Sequence, residues 1–128
     1  MHAGINAERA KHGLSALSWD HSLAVLAKAH SADMLANSYF SHEDESGCDS
    51  SCRATKSGYA WRAIGENIYM MKGYSYSPAQ AAEAVVAGWM ESPGHRANIL
   101  NPMFTVQAIG VAKEGSSVYA TESLAHPR

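Results

Sequence analysis

Ala84-Val-Val-Ala-Gly-Trp-Met-Glu-Ser-Pro-Gly-His-Arg-Ala-Asn-Ile-Leu-Asn-Pro102 holds two helix signals, a turn, a tryptophan and a histidine. Ser92-Pro93 ends one helix and starts the next. Proline lacks a backbone N–H, so it suits the first helical position, where that donor would have no partner. Ser92 then falls at the N-cap. His95 lies in the first turn of a short helix, held at a rigid corner. A histidine placed so firmly marks a candidate site, and its other half must come from elsewhere in the chain.

Upstream, Ser77-Pro78-Ala79-Gln80 is an S-x-x-Q capping box with proline at the first position. The helix it opens buries Ala81, Ala82, Val85, Val86 and Trp89. Before it, Lys72–Ser77 is a loop and Ile64–Met71 a strand entered through Gly65-Glu66-Asn67. Downstream, the short helix ends at Asn101-Pro102. Val106–Lys113 and Ser117–Leu124 then form a hairpin across a Glu114-Gly115-Ser116 turn.

The first helix spans Ala3–His12 and stops at Gly13. Leu14–Trp19 is an extended connection that buries Leu14, Leu17 and Trp19. Asp20 caps a second helix that runs to about Ser38. One apolar stripe of this helix is Leu23, Leu26, Ala27, His30 and Met34; another is Val25, Ala29, Ala32, Ala36 and Phe40. Two stripes predict a helix enclosed by neighbours. Residues 41–60 read as loop with one helical turn after Asp49. Four helices and about three strands, with the hairpin last, predict an α+β fold with an antiparallel sheet. The short helix would lie beside the sheet and bring His95 to its rim.

The 128 residues suit one domain, residues 1–128. Hydrophobic content of 46% and charged content of 17% indicate a globular chain. A net charge of −2 without a basic stripe argues against a nucleic-acid partner. No apolar run is long enough for a transmembrane helix. Cys48 and Cys52 are the only cysteines. A metal site would need a second ligand pair nearby. A local disulfide is the first reading, with free thiols or a metal as alternatives. So short a ring would stabilise by only about 2 kcal/mol, and it would suit an oxidising compartment.

Among the seven histidines, His2, His12, His21 and His126 lie at termini or helix ends, and His30 sits on the inner stripe of the second helix. His42 follows Tyr39-Phe40-Ser41, two aromatics that anchor the backbone just before the imidazole. Glu66 stands between Gly65 and Asn67 at the mouth of a strand. A carboxylate there can orient a histidine or act as a base on water. Two imidazoles with a carboxylate behind them suit Zn²⁺ or another divalent metal. Spacing alone does not bring His42 and His95 together, and no HExxH, GxSxG, P-loop or GxGxxG motif occurs.

Four segments taken together resemble the CAP superfamily, or SCP domain, of cysteine-rich secretory proteins, venom allergens and plant pathogenesis-related proteins. They are Asn6–Leu14 with Leu17–Asp20, Tyr39–His42, Gly65–Ile68 and Trp89–Pro102. The form Ser-Pro-Gly-His-Arg-Ala-Asn-Ile-Leu is similar to the bacterial or archaeal branch. The resemblance implies a three-layer α-β-α sandwich and a cleft with two histidines and acidic residues. His42 and His95 match the cleft histidines, through which members can bind a divalent metal, commonly zinc. Glu66 matches the first cleft glutamate.

Two positions depart from the family pattern. Eukaryotic-type members carry a glutamate three residues after the tryptophan, where this chain has Ser92. Glu91 is the nearest acid, and one residue along a helix turns a side chain by about 100°. On the closing strand, Tyr119-Ala-Thr-Glu122 stands where relatives often carry an aromatic and a glutamine.

The resemblance implies an extracellular or cell-surface location, with a signal peptide taken as removed. The expected function is a metal-capable binding module for a small hydrophobic, lipid or glycan-type ligand. The cleft is expected to comprise Glu66, Glu91 and Ser92 beside the histidines. One alternative is a hydrolase or peptidase using Glu66 and a metal-bound water; another is a cell-surface interaction protein without catalysis. Tyr69-Met70-Met71 and Tyr74-Ser75-Tyr76 read first as half-buried strand and loop, with an apolar rim for a lipid as the alternative.

Overall fold

The computed structural model describes all 128 residues. Its elements are α1 (His2–Lys11), β1 (Ser18–Trp19), α2 (His21–Asn37), α3 (Ser50–Lys56), β2 (Trp61–Met71), α4 (Pro78–Glu91), α5 (Pro93–Ile99), β3 (Val106–Glu114) and β4 (Ser117–Pro127). The sheet order is β1-β3-β4-β2. The β2–β4 and β3–β4 pairs are antiparallel, and two-residue β1 adds a parallel edge on β3. The α+β class and the antiparallel core are as expected. The counts are five helices and four strands in place of four and three. The additions, α3 and β1, are too short to show a periodic pattern.

Strand β4 alternates between two helix layers. Ala120 and Leu124 join Ile5, Val85, Trp89 and Ile99 in the larger core, beneath α1, α4 and α5. Tyr119 packs with Met34 and Ile68, and Ala125 with Leu23 and Ala108, beneath α2. The result is the α-β-α sandwich. The approach of α2 is set by Gly110: a Cβ there would come within 2.2 Å of the Lys28 backbone nitrogen. Ser31, fully buried on α2, completes the seam by donating to the Gly110 carbonyl and bonding Thr121.

The caps follow their local chemistry. Asp20 accepts from the Leu23 N–H, and the Ser77–Gln80 box is reciprocal. Gly13 and Gly115 take positive φ at a helix end and at the hairpin turn. Four burial expectations fail; on α4, Ala81 and Ala82 are only half-buried, unlike Val85, Val86 and Trp89. Only one stripe of α2 is buried; Val25 is 70% and Phe40 46% exposed, and the three alanines of that stripe are not in the core either. Alanine favours helix on any face, so it mimicked a core stripe. Trp19 is 40% exposed, edge-on to His2, because β1 lies at the sheet margin. Leu14 is only half-buried, whereas Leu17 is buried.

Candidate functional site at the edge of β2

Strand β2 is a sheet edge, so its neighbouring residues send side chains to opposite helix layers near open solvent. Glu66 turns to the α2–α3 side and Asn67 to the α5 side. His42 and His95 reach this edge from those two sides.

On the first side, α2 ends at Ser38, the one non-glycine residue with positive φ, and the chain reverses. Tyr39 bonds back to Asp33, and the Ser41 carbonyl accepts from His30 Nε2 at 2.8 Å. These contacts place His42, whose ring is half exposed. His42 Nδ1 lies 3.0 Å from Glu66 Oε1. An ionised carboxylate only accepts, so the ring proton sits on Nδ1 and Nε2 keeps its lone pair. The Glu66 side chain is 3% exposed and also takes Arg53 Nη2 at 2.5 Å. His30 Nε2 stands 3.9 Å away. The hydrogen bond to Glu66 raises the His42 pKa, against burial and the Arg53 charge. Burial lowers that of His30 despite Glu66, leaving it a neutral core histidine.

On the second side, Trp89 anchors the corner. It is fully buried, and its indole N–H donates to the Ile68 carbonyl at 3.0 Å. Ser92 occupies the N-cap position of α5, yet its hydroxyl makes no cap bond. It lies 2.8 Å from His95 Nδ1 instead. The expected cap is therefore replaced by a side-chain restraint on the histidine. Burial lowers the His95 pKa, and the His42 charge lowers it further.

The two sides are joined by amides. Asn67 Nδ2 donates to the His95 carbonyl at 3.0 Å and to Glu122 Oε1 at 2.9 Å. Asn98 Nδ2 donates to Asn67 Oδ1 and the Glu66 carbonyl. Bracing by Asn98 fits its place on the short helix. Arg53 carried no sequence signal, and Asn67 stood out only as part of the Gly65–Ile68 segment, because a polar residue shows its bracing role only through its tertiary partner. Glu91 is not brought in: it is exposed at the last position of α4 and joins none of these bonds. No group of three His, Cys, Asp or Glu side chains converges as a metal cage. Cys48 and Cys52 are joined in a disulfide beside this site.

Beyond the C-terminal end of β2 lies an apolar cavity of about 250 Å³, walled by Met71, Tyr74, Tyr76, Pro78, Ala81 and Val118. The Tyr74 and Tyr76 rings stack at 5.1 Å. No helix is long and apolar enough to cross a membrane.

A family model described as CAP, the cysteine-rich secretory protein family, matches residues 2–123. The chain is 40% identical over 111 residues to the Bacillus subtilis protein YkwD, covering 87% of this chain and 40% of that protein. It thus spans well under half of that relative. An extracellular protein containing an SCP domain from Bacillus anthracis superposes with TM-score 0.80 at 31% identity, over 95% of this chain and 37% of that one. An outer surface protein from Borrelia burgdorferi shares the fold with TM-score 0.83 at 17% identity, over 99% and 90% of the two chains. With the sandwich and the Ser-Pro-Gly-His corner in place and the family model matching nearly the whole length, the chain belongs to the CAP family.

Proposed function

We propose that this chain is the binding module of a secreted or surface-exposed protein, and that His42 and His95 hold a divalent metal weakly at the β2 edge. The observation that carries this is the state of the two rings. Each has Nδ1 engaged, by Glu66 or Ser92, and no hydrogen bond at Nε2. A carboxylate behind a histidine is the arrangement that orients a metal ligand and raises its basicity. The donor set fits two imidazole ligands and no third protein ligand. A zinc or similar ion there supplies a positive centre with positions open to water or a ligand oxygen. The chain's own part is to aim the two rings, His42 through Glu66 and His95 through Ser92, and leave each Nε2 turned away from other hydrogen bonds.

A glycan-type ligand, rich in hydroxyls, suits that centre, and a small hydrophobic ligand suits the apolar cavity. The disulfide and the company of extracellular and surface proteins support the location. Zinc titration near neutral pH tests the reading. One zinc per chain is expected, lost in His42→Ala and in His95→Ala with circular dichroism unchanged. A wild-type chain that takes up no zinc refutes it.

A hydrolase is the second reading. Its metal-dependent form is disfavoured, because both Glu66 oxygens are occupied by His42 and Arg53 and are not free to act as a base. Its metal-free form has one observation in its favour, the 2.8 Å Ser92–His95 contact. That form requires turnover of some ester or peptide that disappears in Ser92→Ala; a wild type inert across a broad library removes it.

A further inference from the structure

Arg53 spans three separate segments. Its Nη2 donates to Glu66 Oε2 at 2.5 Å, and its Nη1 donates to the His42 carbonyl at 2.7 Å and the Cys48 carbonyl at 2.9 Å. One guanidinium thereby fixes both the backbone of His42 and the carboxylate that orients its ring. With Oε2 held, Glu66 presents Oε1 to the imidazole. Without Arg53, a carboxylate 3% exposed keeps only two imidazoles nearby, one of them at 3.9 Å.

What holds Arg53 is less secure. It sits on α3, a helix of seven residues, shorter than an isolated helix that persists in water. Asp49 caps α3 by accepting from the Cys52 N–H at 3.0 Å. The Cys48–Cys52 bridge then ties the first turn of α3 to the preceding loop, one residue before Arg53. Cys48 is buried, 3% exposed. Its carbonyl also accepts from the Asp44 N–H, and its own N–H donates to Asp44 Oδ1. The bridge therefore fixes the carbonyl that Arg53 grips and the helix that Arg53 stands on.

We infer that Arg53 is the positioning residue of His42 and that the Cys48–Cys52 disulfide keeps it there, so that His42 is held in one orientation only in the oxidised chain. Reduction by a dithiol breaks the S–S bond. Two electrons and two protons pass to the protein sulfurs, giving two thiols, and the dithiol closes to its own disulfide. The fold is retained, and the His42 loop loosens.

The positioning role stands without metal; only its consequence for zinc rests on the proposed function. Nitrogen-15 NMR of the histidine rings in the metal-free chain separates the two. In alkaline buffer, where the ring is neutral, the oxidised wild type is expected to show His42 protonated on Nδ1 alone. In Arg53→Met, in the Cys48→Ser/Cys52→Ser double variant and after dithiothreitol, His42 should shift to a tautomer mixture, while His95, held by Ser92, stays put. Arg53→Lys should restore part of the single-tautomer signal. Zinc titration of the same proteins should show affinity about tenfold weaker in Arg53→Met. An unchanged His42 signal in Arg53→Met, or in both the double variant and the reduced wild type, overturns the inference. Should Arg53→Met fail to fold, Arg53→Lys and the reduced wild type decide by the same signal. Shifted NMR signals with no zinc uptake by wild type would sink the metal reading and leave the positioning intact.

Discussion

Glu122 gives a pH dependence of stability opposite to that of most acids. It is fully buried on β4, and one oxygen accepts from Asn67 while the other has no partner. Arg9 is the nearest compensating charge, but its guanidinium is spent on the Ser15, Ile99 and Asn101 carbonyls. Burial pushes the Glu122 carboxyl from 4.5 up to about 8, against the Asn67 hydrogen bond and the Arg9 charge. Between those values the folded chain keeps a proton that the unfolded chain has released. Stability therefore falls as pH rises through this window and levels off above it. The slope approaches about 1.36 kcal/mol per pH unit midway and lessens near each pKa, so the loss is about 3.5 kcal/mol from pH 5 to pH 8 and about 4 kcal/mol from the fully protonated limit. Glu122→Gln keeps the shape of the protonated acid and has no proton to lose. Urea unfolding of both proteins across this range isolates the effect, because the histidines titrate in both and cancel. The variant should match wild type within about 1 kcal/mol at pH 5 and exceed it by about 3.5 kcal/mol at pH 8. A difference that stays constant with pH would show that Glu122 does not hold a proton in the fold.

Four further outcomes are expected. Zinc affinity should decline on acidification at a higher pH than a free imidazole would dictate, because the Glu66 bond raises the His42 pKa while His95 stays neutral; Glu66→Gln should move the onset lower in a titration series. Gly110→Ala should cost about 3 kcal/mol or more by urea melt, or prevent folding, since the added carbon meets the α2 backbone. Ser92→Ala should leave α5 nearly as stable, within about 0.5 kcal/mol, and not lose the ~1 kcal/mol of a true N-cap; its visible effect should be a loosened His95 ring by NMR. Val25→Ser and Phe40→Ser, on exposed surface, should each shift stability by no more than about 0.5 kcal/mol.

Where the chain was legible, the signals were local. The Ser77–Gln80 box, the Asp20 cap and Gly115 each need only their own neighbours, and each forms as read. The hairpin strands run longer than expected, to Glu114 and Pro127, because cross-strand pairing carries them past their apolar residues. Helix α3 was invisible as a full helix: a cap, a disulfide and Arg53 hold it, and none of these leaves an apolar period. The second face of α2 misled because alanine serves both propensity and core. At the site, His42, Glu66 and His95 stood out as residue types beside rigid backbone. The roles of their partners did not. Arg53 and Asn67 act across chain separations of 13 and 28 residues, and only the sheet edge brings them into register.

Convergence of the two Nε2 atoms on one ion is the point on which the proposed function turns. A crystal soaked in zinc, with data collected at the zinc edge, tests it. One anomalous peak is expected at the β2 edge, about 2.0–2.1 Å from Nε2 of both His42 and His95. A fully occupied ion elsewhere, or one bound through a single ring, would contradict it.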